Sequence, residues 1–136
     1  MTHHIHHCQV YYEDTDLSGM VYHANYLKFF ERAREHFLGP DELVRLLQEE
    51  GIGFVVYKAA LSYREGARLG DKLEIRSRVE LISAFRVIFH QNAHRTDSDR
   101  PMVEGRVELV CVNQKQKLVP IPSGVIDSVT ALQESS

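Results

Sequence analysis

The stretch "DKLEIRSRVEL", Asp71 to Leu81, narrows the possible folds more than any other part of the chain. Leu73, Ile75, Val79 and Leu81 are apolar, whereas Lys72, Glu74, Arg76, Arg78 and Glu80 are charged. Side chains alternate faces along an extended backbone, so this period of two predicts a strand with one dry face and one wet face. Strands of that kind belong to antiparallel sheets covered on one side. Phe54 to Tyr63, Phe85 to His94 and Val103 to Val112 continue the β pattern, and Lys117 to Ile121 suggests a short last strand. Turn chemistry at Gly70-Asp71, Ser83-Ala84, "TDSDRP" and "NQKQK" separates them. These connections are mostly too short for crossover helices, which predicts antiparallel neighbours.

A one-sided sheet needs a cover, and the first third of the chain contains one. Tyr26, Phe29, Phe30, Ala33 and Phe37 recur on one helical face, with Lys28, Glu31, Arg32 and Glu35 mostly opposite. Gly39 and Pro40 end that helix and open a second, whose first turn holds Asp41 and Glu42; Gly51 and Gly53 close it. Gln9 to Glu13 reads as a short β run ahead of them. The expected architecture is α+β, with the first helix buried against the concave side of the sheet. Without repeats or low-complexity linkers, residues 1–136 read as one domain, with 1–8 and 123–136 as peripheral termini. The histidines of "HHIHH" read as a frayed end, and no metal is assigned to them.

Charge and cysteine usage remove several function classes. A net charge of -3 gives no reason to expect nucleic acid or an anionic membrane as partner. No apolar run approaches the ~18 residues that span a bilayer. "MTHHIHHCQV" lacks the basic head and apolar run of a signal peptide. Cys8 and Cys111 have no CxxC partner, which points to free thiols in a reducing cytoplasm.

The chemistry concentrates in "YYEDTDLSGMVYHANYLKFFERAR", Tyr11 to Arg34. If the strand persists, Asp14 and Asp16 share a face and repel one another. Composition alone favours a plainer reading, in which Asp16 caps a turn, Gly19 takes a positive φ, and Tyr22 and His23 are aromatics leading into the helix. The order of the parts supports a sharper one. A turn-borne carboxylate fewer than ten residues before a helix can sit near the first free N–H groups, which bind an oxyanion or polarise a carbonyl. Their partial positive charge would also keep Asp16 ionised, making it a weak base but a usable nucleophile. A carboxylate and an amide around one cleft are the minimum for acyl transfer to water.

The same stretch resembles the signature of the 4-hydroxybenzoyl-CoA thioesterase-like hotdog family, and especially its Tol-Pal-associated acyl-CoA thioesterase branch. D-x-x-G-x-V-x-H-x-x-Y is met at Asp16, Gly19, Val21, His23 and Tyr26. "GIGFVVYKAALSYREGARLGDKLEI" and "VELVCVNQKQKLVPIP" are similar to that branch too, so the likeness runs from Val10 to about Pro122. It implies a hotdog fold, a long helix wrapped by a curved antiparallel sheet. It also implies homodimers with a continuous sheet, an active site shared between subunits, and often tetramers. By this resemblance Asp16 is the catalytic nucleophile or base on an acyl-CoA thioester, and the His23 backbone amide polarises the carbonyl. Gly19, Val21 and Tyr22 would shape the cleft, with no metal and no cofactor beyond the coenzyme A of the substrate. Association with cell-envelope machinery would follow from the branch. Some relatives carry a basic cluster where this chain reads "LISAF", Leu81 to Phe85, so no phosphate-gripping residue is assigned. Arg64, Arg68, Arg86, Lys115 and Lys117 read as solvated charges.

Two rivals stay open. A hotdog dehydratase would need a separate acid/base pair to break a C–O bond. A non-catalytic acyl-binding or envelope-docking module would bind without turnover. Neither a G-x-S-x-G elbow nor an H-E-x-x-H helix is present to support a serine hydrolase or a zinc protease.

Overall fold

The computed structural model describes residues 3–134. The strands are β1 (His4–Gln9), β2 (Gly53–Tyr63), β3 (Lys72–Leu81), β4 (Arg86–Arg95), β5 (Pro101–Val112) and β6 (Leu118–Val119). The helices are α1 (Tyr26–Leu38), α2 (Pro40–Arg45) and α3 (Ser123–Glu134). The main sheet is antiparallel in the order β1-β3-β4-β5-β2, with β6 against β5.

The alternation in β3 does what its period requires: Leu73, Ile75, Ser77 and Val79 are buried, and the charged residues lie on the other face. Helix α1 covers the dry face. Its Tyr26, Phe29, Phe30 and Ala33 pack with Leu73, Ile75, Ala93 and Val103, while Phe37 is half-buried and joins a second cluster around Phe89 and Val107. Gly105 on β5 makes the closest approach possible. A Cβ there would lie 2.6 Å from the Phe30 ring, so the missing side chain seats the phenyl against the sheet. This helix-on-sheet arrangement is the hotdog fold.

Three expectations are corrected. The first strand is not Gln9 to Glu13 but His4–Gln9, antiparallel to β3, and "HHIHH" is a paired edge strand rather than a frayed end. Its burial alternates residue by residue; the His6 ring stacks on His36 at 4.6 Å, and His4 meets Phe37 edge-on. Terminal position and a run of histidines concealed a period of two. The end of the chain is likewise not peripheral over 123–134, because Val125 and Val129 of α3 are buried in the core; residues 135–136 lie outside the described range. Finally, consecutive strands are not always neighbours. β2 pairs with β5 and β3 with β1, so residues 64–71 carry the chain from one part of the sheet to another. That segment runs past the start of α1, where Ala67 N–H donates to Tyr26 Oη at 3.1 Å.

Candidate active site

The segment between β1 and α1 is held by two carboxylates with different tasks. After Val10 the chain leaves the ladder and makes a tight turn at Tyr12–Asp14. Asp14 is only 3% exposed. Its Oδ2 accepts from Tyr11 N–H at 2.8 Å, its Oδ1 from Asn25 Nδ2 at 2.8 Å, and its backbone carbonyl from Tyr22 N–H. Asp14 therefore ties the turn to the start of the helical segment. Asp14 and Asp16 do not share a strand face as expected, because the helical turn rotates one inward and leaves the other outside.

Asp16 is exposed and opens a turn closed by Gly19 N–H on its carbonyl and by its own N–H on Met20 O. Ser18 donates its backbone N–H and its hydroxyl to Asp16 Oδ1, at 2.8 and 2.5 Å. Oδ2 accepts no hydrogen bond from the described residues. The hydroxyl of Ser18 first, then its N–H, hold the Asp16 carboxyl below the usual aspartate value of 3.8, with a smaller contribution from His23. The expected ionisation thus comes chiefly from Ser18. A depressed carboxylate stays charged until the pH falls through its folded-state value. If this group carries turnover, the acid limb of kcat/KM should be centred below the ordinary aspartate value of 3.8. A rate profile whose acid limb is centred above pH 5, with the fold intact by circular dichroism, would contradict that role.

Gly19 has φ +79° and open space around its Cβ position, so conformation rather than room calls for glycine. Its carbonyl accepts from Leu69 N–H, and Val21 N–H donates to Ala67 O, which stitches this loop to residues 66–70. Val21 is a core residue, 7% exposed, so its side chain packs inward rather than lining a cleft.

His23 opens the turn His23–Asn25 that runs into α1, with Tyr22 as its extended cap. The first N–H groups of a helical segment have no acceptor within it. The His23 amide has no hydrogen-bond partner among the described residues. The exposed imidazole lies between rings, 4.5 Å from Tyr22 and 6.3 Å from Tyr63. Tyr63, at the end of β2, donates its hydroxyl to His23 O at 2.9 Å. Neither Tyr63 nor Asn25 was singled out from sequence, since an aromatic ending a strand and an amide beside a tyrosine carry no local mark of their partners. His23, Tyr26, Tyr63 and Gly66 wall a cleft of about 290 Å³; Asp16 is not among its walls within one chain.

Among the described residues no group of three or more His, Cys, Asp or Glu side chains is placed to hold a metal ion. No helix there is long and apolar enough to cross a membrane. Burial raises both thiols, Cys8 and Cys111, to about 11.

Known proteins are similar to this chain in sequence and fold. The acyl-CoA thioesterase YbgC of Haemophilus influenzae is 38% identical over 120 residues, covering 86% of this chain and 87% of that protein. The acyl-CoA thioester hydrolase YbgC of Escherichia coli is 36% identical, covering 87% and 89%. Among solved structures, a probable thioesterase from Bartonella henselae superposes with a TM-score of 0.81 at 32% identity, covering 88% of this chain and 99% of that one. Slr0204 of Synechocystis, a 1,4-dihydroxy-2-naphthoyl-CoA thioesterase, shares the fold with a TM-score of 0.88 at 22% identity, covering 96% and 98%. The model of the Thioesterase-like superfamily matches residues 10–129. That match spans helix α1 and strands β2 to β6: the chain belongs to the Thioesterase-like superfamily.

Proposed function

We propose that the chain hydrolyses acyl-CoA thioesters to a free acid and coenzyme A, as its YbgC relatives are named for doing. The observation that carries this reading is an ionised Asp16 with Oδ2 free, on the turn that leads to the unpartnered His23 amide. In this mechanism the His23 N–H receives the thioester oxygen as negative charge develops on it. Asp16 Oδ2 attacks the carbonyl carbon, the C–S bond breaks, and the coenzyme A thiolate leaves and takes up a proton. Water then opens the mixed anhydride and regenerates the carboxylate. A depressed carboxylate favours this nucleophilic course over general-base action on water. One oxyanion donor is worth roughly 10²–10³ in rate.

The site is completed by a second copy of the chain. β2 is eleven residues long and lies at the end of the sheet, with Val55, Val56 and Tyr57 exposed. An exposed apolar edge of that length is a template for pairing. Antiparallel self-pairing would continue the sheet through a dimer and bring partner surface over the Asp16 loop. In this reading two such dimers pack together as a tetramer.

Two measurements test the proposal. Thiol release should follow protein concentration with aliphatic or aromatic acyl-CoA esters, without formation of an enoyl product. Binding with no thiol release would overturn hydrolysis, and an enoyl product would favour the dehydratase. Sedimentation should give an even multiple of the 15.7 kDa chain mass; a 15.7 kDa species that remains fully active would overturn the shared site.

A further inference from the structure

A second cavity, also of about 290 Å³, lies away from the His23 cleft, between α1, α2 and the start of β2. Leu38, Leu43, Phe54 and Leu109 give it apolar walls, and Arg34 lies at its inner side. Arg34 is 7% exposed, on a helix face turned to the sheet. Its Nη1 donates to Gln91 Oε1 at 3.0 Å. Gln91, itself fully buried, donates its Nε2 to Phe30 O and to Ser77 Oγ, so the amide is pinned with its oxygen toward Arg34. Among the described residues no carboxylate lies within ion-pair distance of the guanidinium. Desolvation disfavours its charged form, and Glu31 compensates only as a neighbouring charge.

Buried arginines ordinarily have a counter-ion, because a desolvated charge left unpaired is costly. Here one donor is used by a neutral amide, and the rest of a five-donor fork has no such partner. The remaining donors are not sealed from solvent and Arg34 lines the cavity, so a planar, two-oxygen anion there can take paired hydrogen bonds from the guanidinium. Glu31 and Glu35 also border the cavity, but both are exposed, where water and salt weaken their repulsion.

The proposed dimer connects this cavity with the reaction. If β2 pairs antiparallel with itself about its midpoint, the Gly53 end of one strand lies beside the Tyr63 end of the other. Tyr63 holds the start of the catalytic helix, whereas Gly53 and Phe54 line the cavity. The cavity of one subunit then adjoins the His23 cleft of its partner. We infer that this cavity receives the acyl group in trans, and that Arg34 selects short acyl-CoA esters ending in a carboxylate. The inference rests on the hydrolytic reading above and adds the substrate class.

Matched pairs of esters test it: succinyl-CoA with butanoyl-CoA, and adipoyl-CoA with hexanoyl-CoA. The wild-type protein should favour the carboxylate-ended member of at least one pair by about tenfold or more in kcat/KM. Arg34→Met should abolish that preference by lowering kcat/KM for the carboxylate-ended member several-fold more than for the plain ester, and Arg34→Lys should recover part of it. A wild-type protein that hydrolyses both members equally overturns the inference, and needs no variant to do so. Arg34→Met lowering both members alike also overturns it, since that is the mark of a structural role. Plain esters hydrolysed without preference leave the proposed function standing; no thiol release from any ester removes both.

Discussion

Asp16→Asn is expected to lower kcat by at least about a hundredfold, the lower end of what a positioned carboxylate contributes, and by more if Asp16 is the nucleophile. The substitution is nearly isosteric, and the asparagine carbonyl can still accept from Ser18 N–H and Ser18 Oγ, so the turn that Gly19 closes remains available. Because the side chain is exposed, its removal should leave the thermal midpoint within a degree or two of the wild-type value. Thiol release under saturating ester and a thermal melt read the two quantities separately. Activity kept within a few fold would remove Asp16 from the chemistry and leave it as a turn cap.

Asp14→Asn should show the opposite balance, with stability lost first. Both Asp14 oxygens accept from groups on either side of the loop, and the carboxylate is buried. An amide in its place loses the charge that strengthens both bonds, and its NH₂ faces either Tyr11 N–H, donor to donor, or Asn25, whose own amide must then turn over to accept. Hydrogen bonds to a charged group contribute about 1.5–3 kcal/mol each, and a buried unpaired donor costs about 1–3 kcal/mol. The expected loss is about 2–4 kcal/mol, read as a thermal midpoint lowered by roughly 5–15 °C. Because Asn25 and Tyr22 set the start of the helical segment, kcat should fall as well, through displacement of the His23 amide. Denaturant melts set against thiol release check this pair of effects. Asp14→Asn with wild-type stability and lost activity would mean that Asp14 itself takes part in the reaction rather than only holding the loop.

The two aspartates also show how much of the site the sequence makes legible. Two carboxylates separated by one residue look equivalent in a linear pattern, and an extended backbone would make them so. A single helical turn at Tyr12–Asp14 makes one a buried tie and the other a solvent-facing group. The motif residues Asp16, Gly19 and His23 are readable because a turn, a positive φ and a helix start each have a local residue signature. Tyr63 is not readable in this way. It reaches His23 O from forty residues away, and only the pairing of β2 with β5 puts it there. Arg34 escaped for a related reason: within a helix charged on one face it reads as one more solvated residue, and its burial depends on Gln91 across the core.

By itself, then, the sequence determined the strand faces of β3, the apolar face of α1 and the turns between strands. These follow from side-chain periodicity and from the φ preferences of single residues, both of which act over a few neighbours. The tertiary structure decided that "HHIHH" is an edge strand, that the chain's last helix is core, and which strand ends up beside which. It also decided which carboxylate reaches water. Those outcomes depend on pairing and burial between segments far apart in the chain, where the free energy of a residue is set by the partner that arrives beside it rather than by its own type.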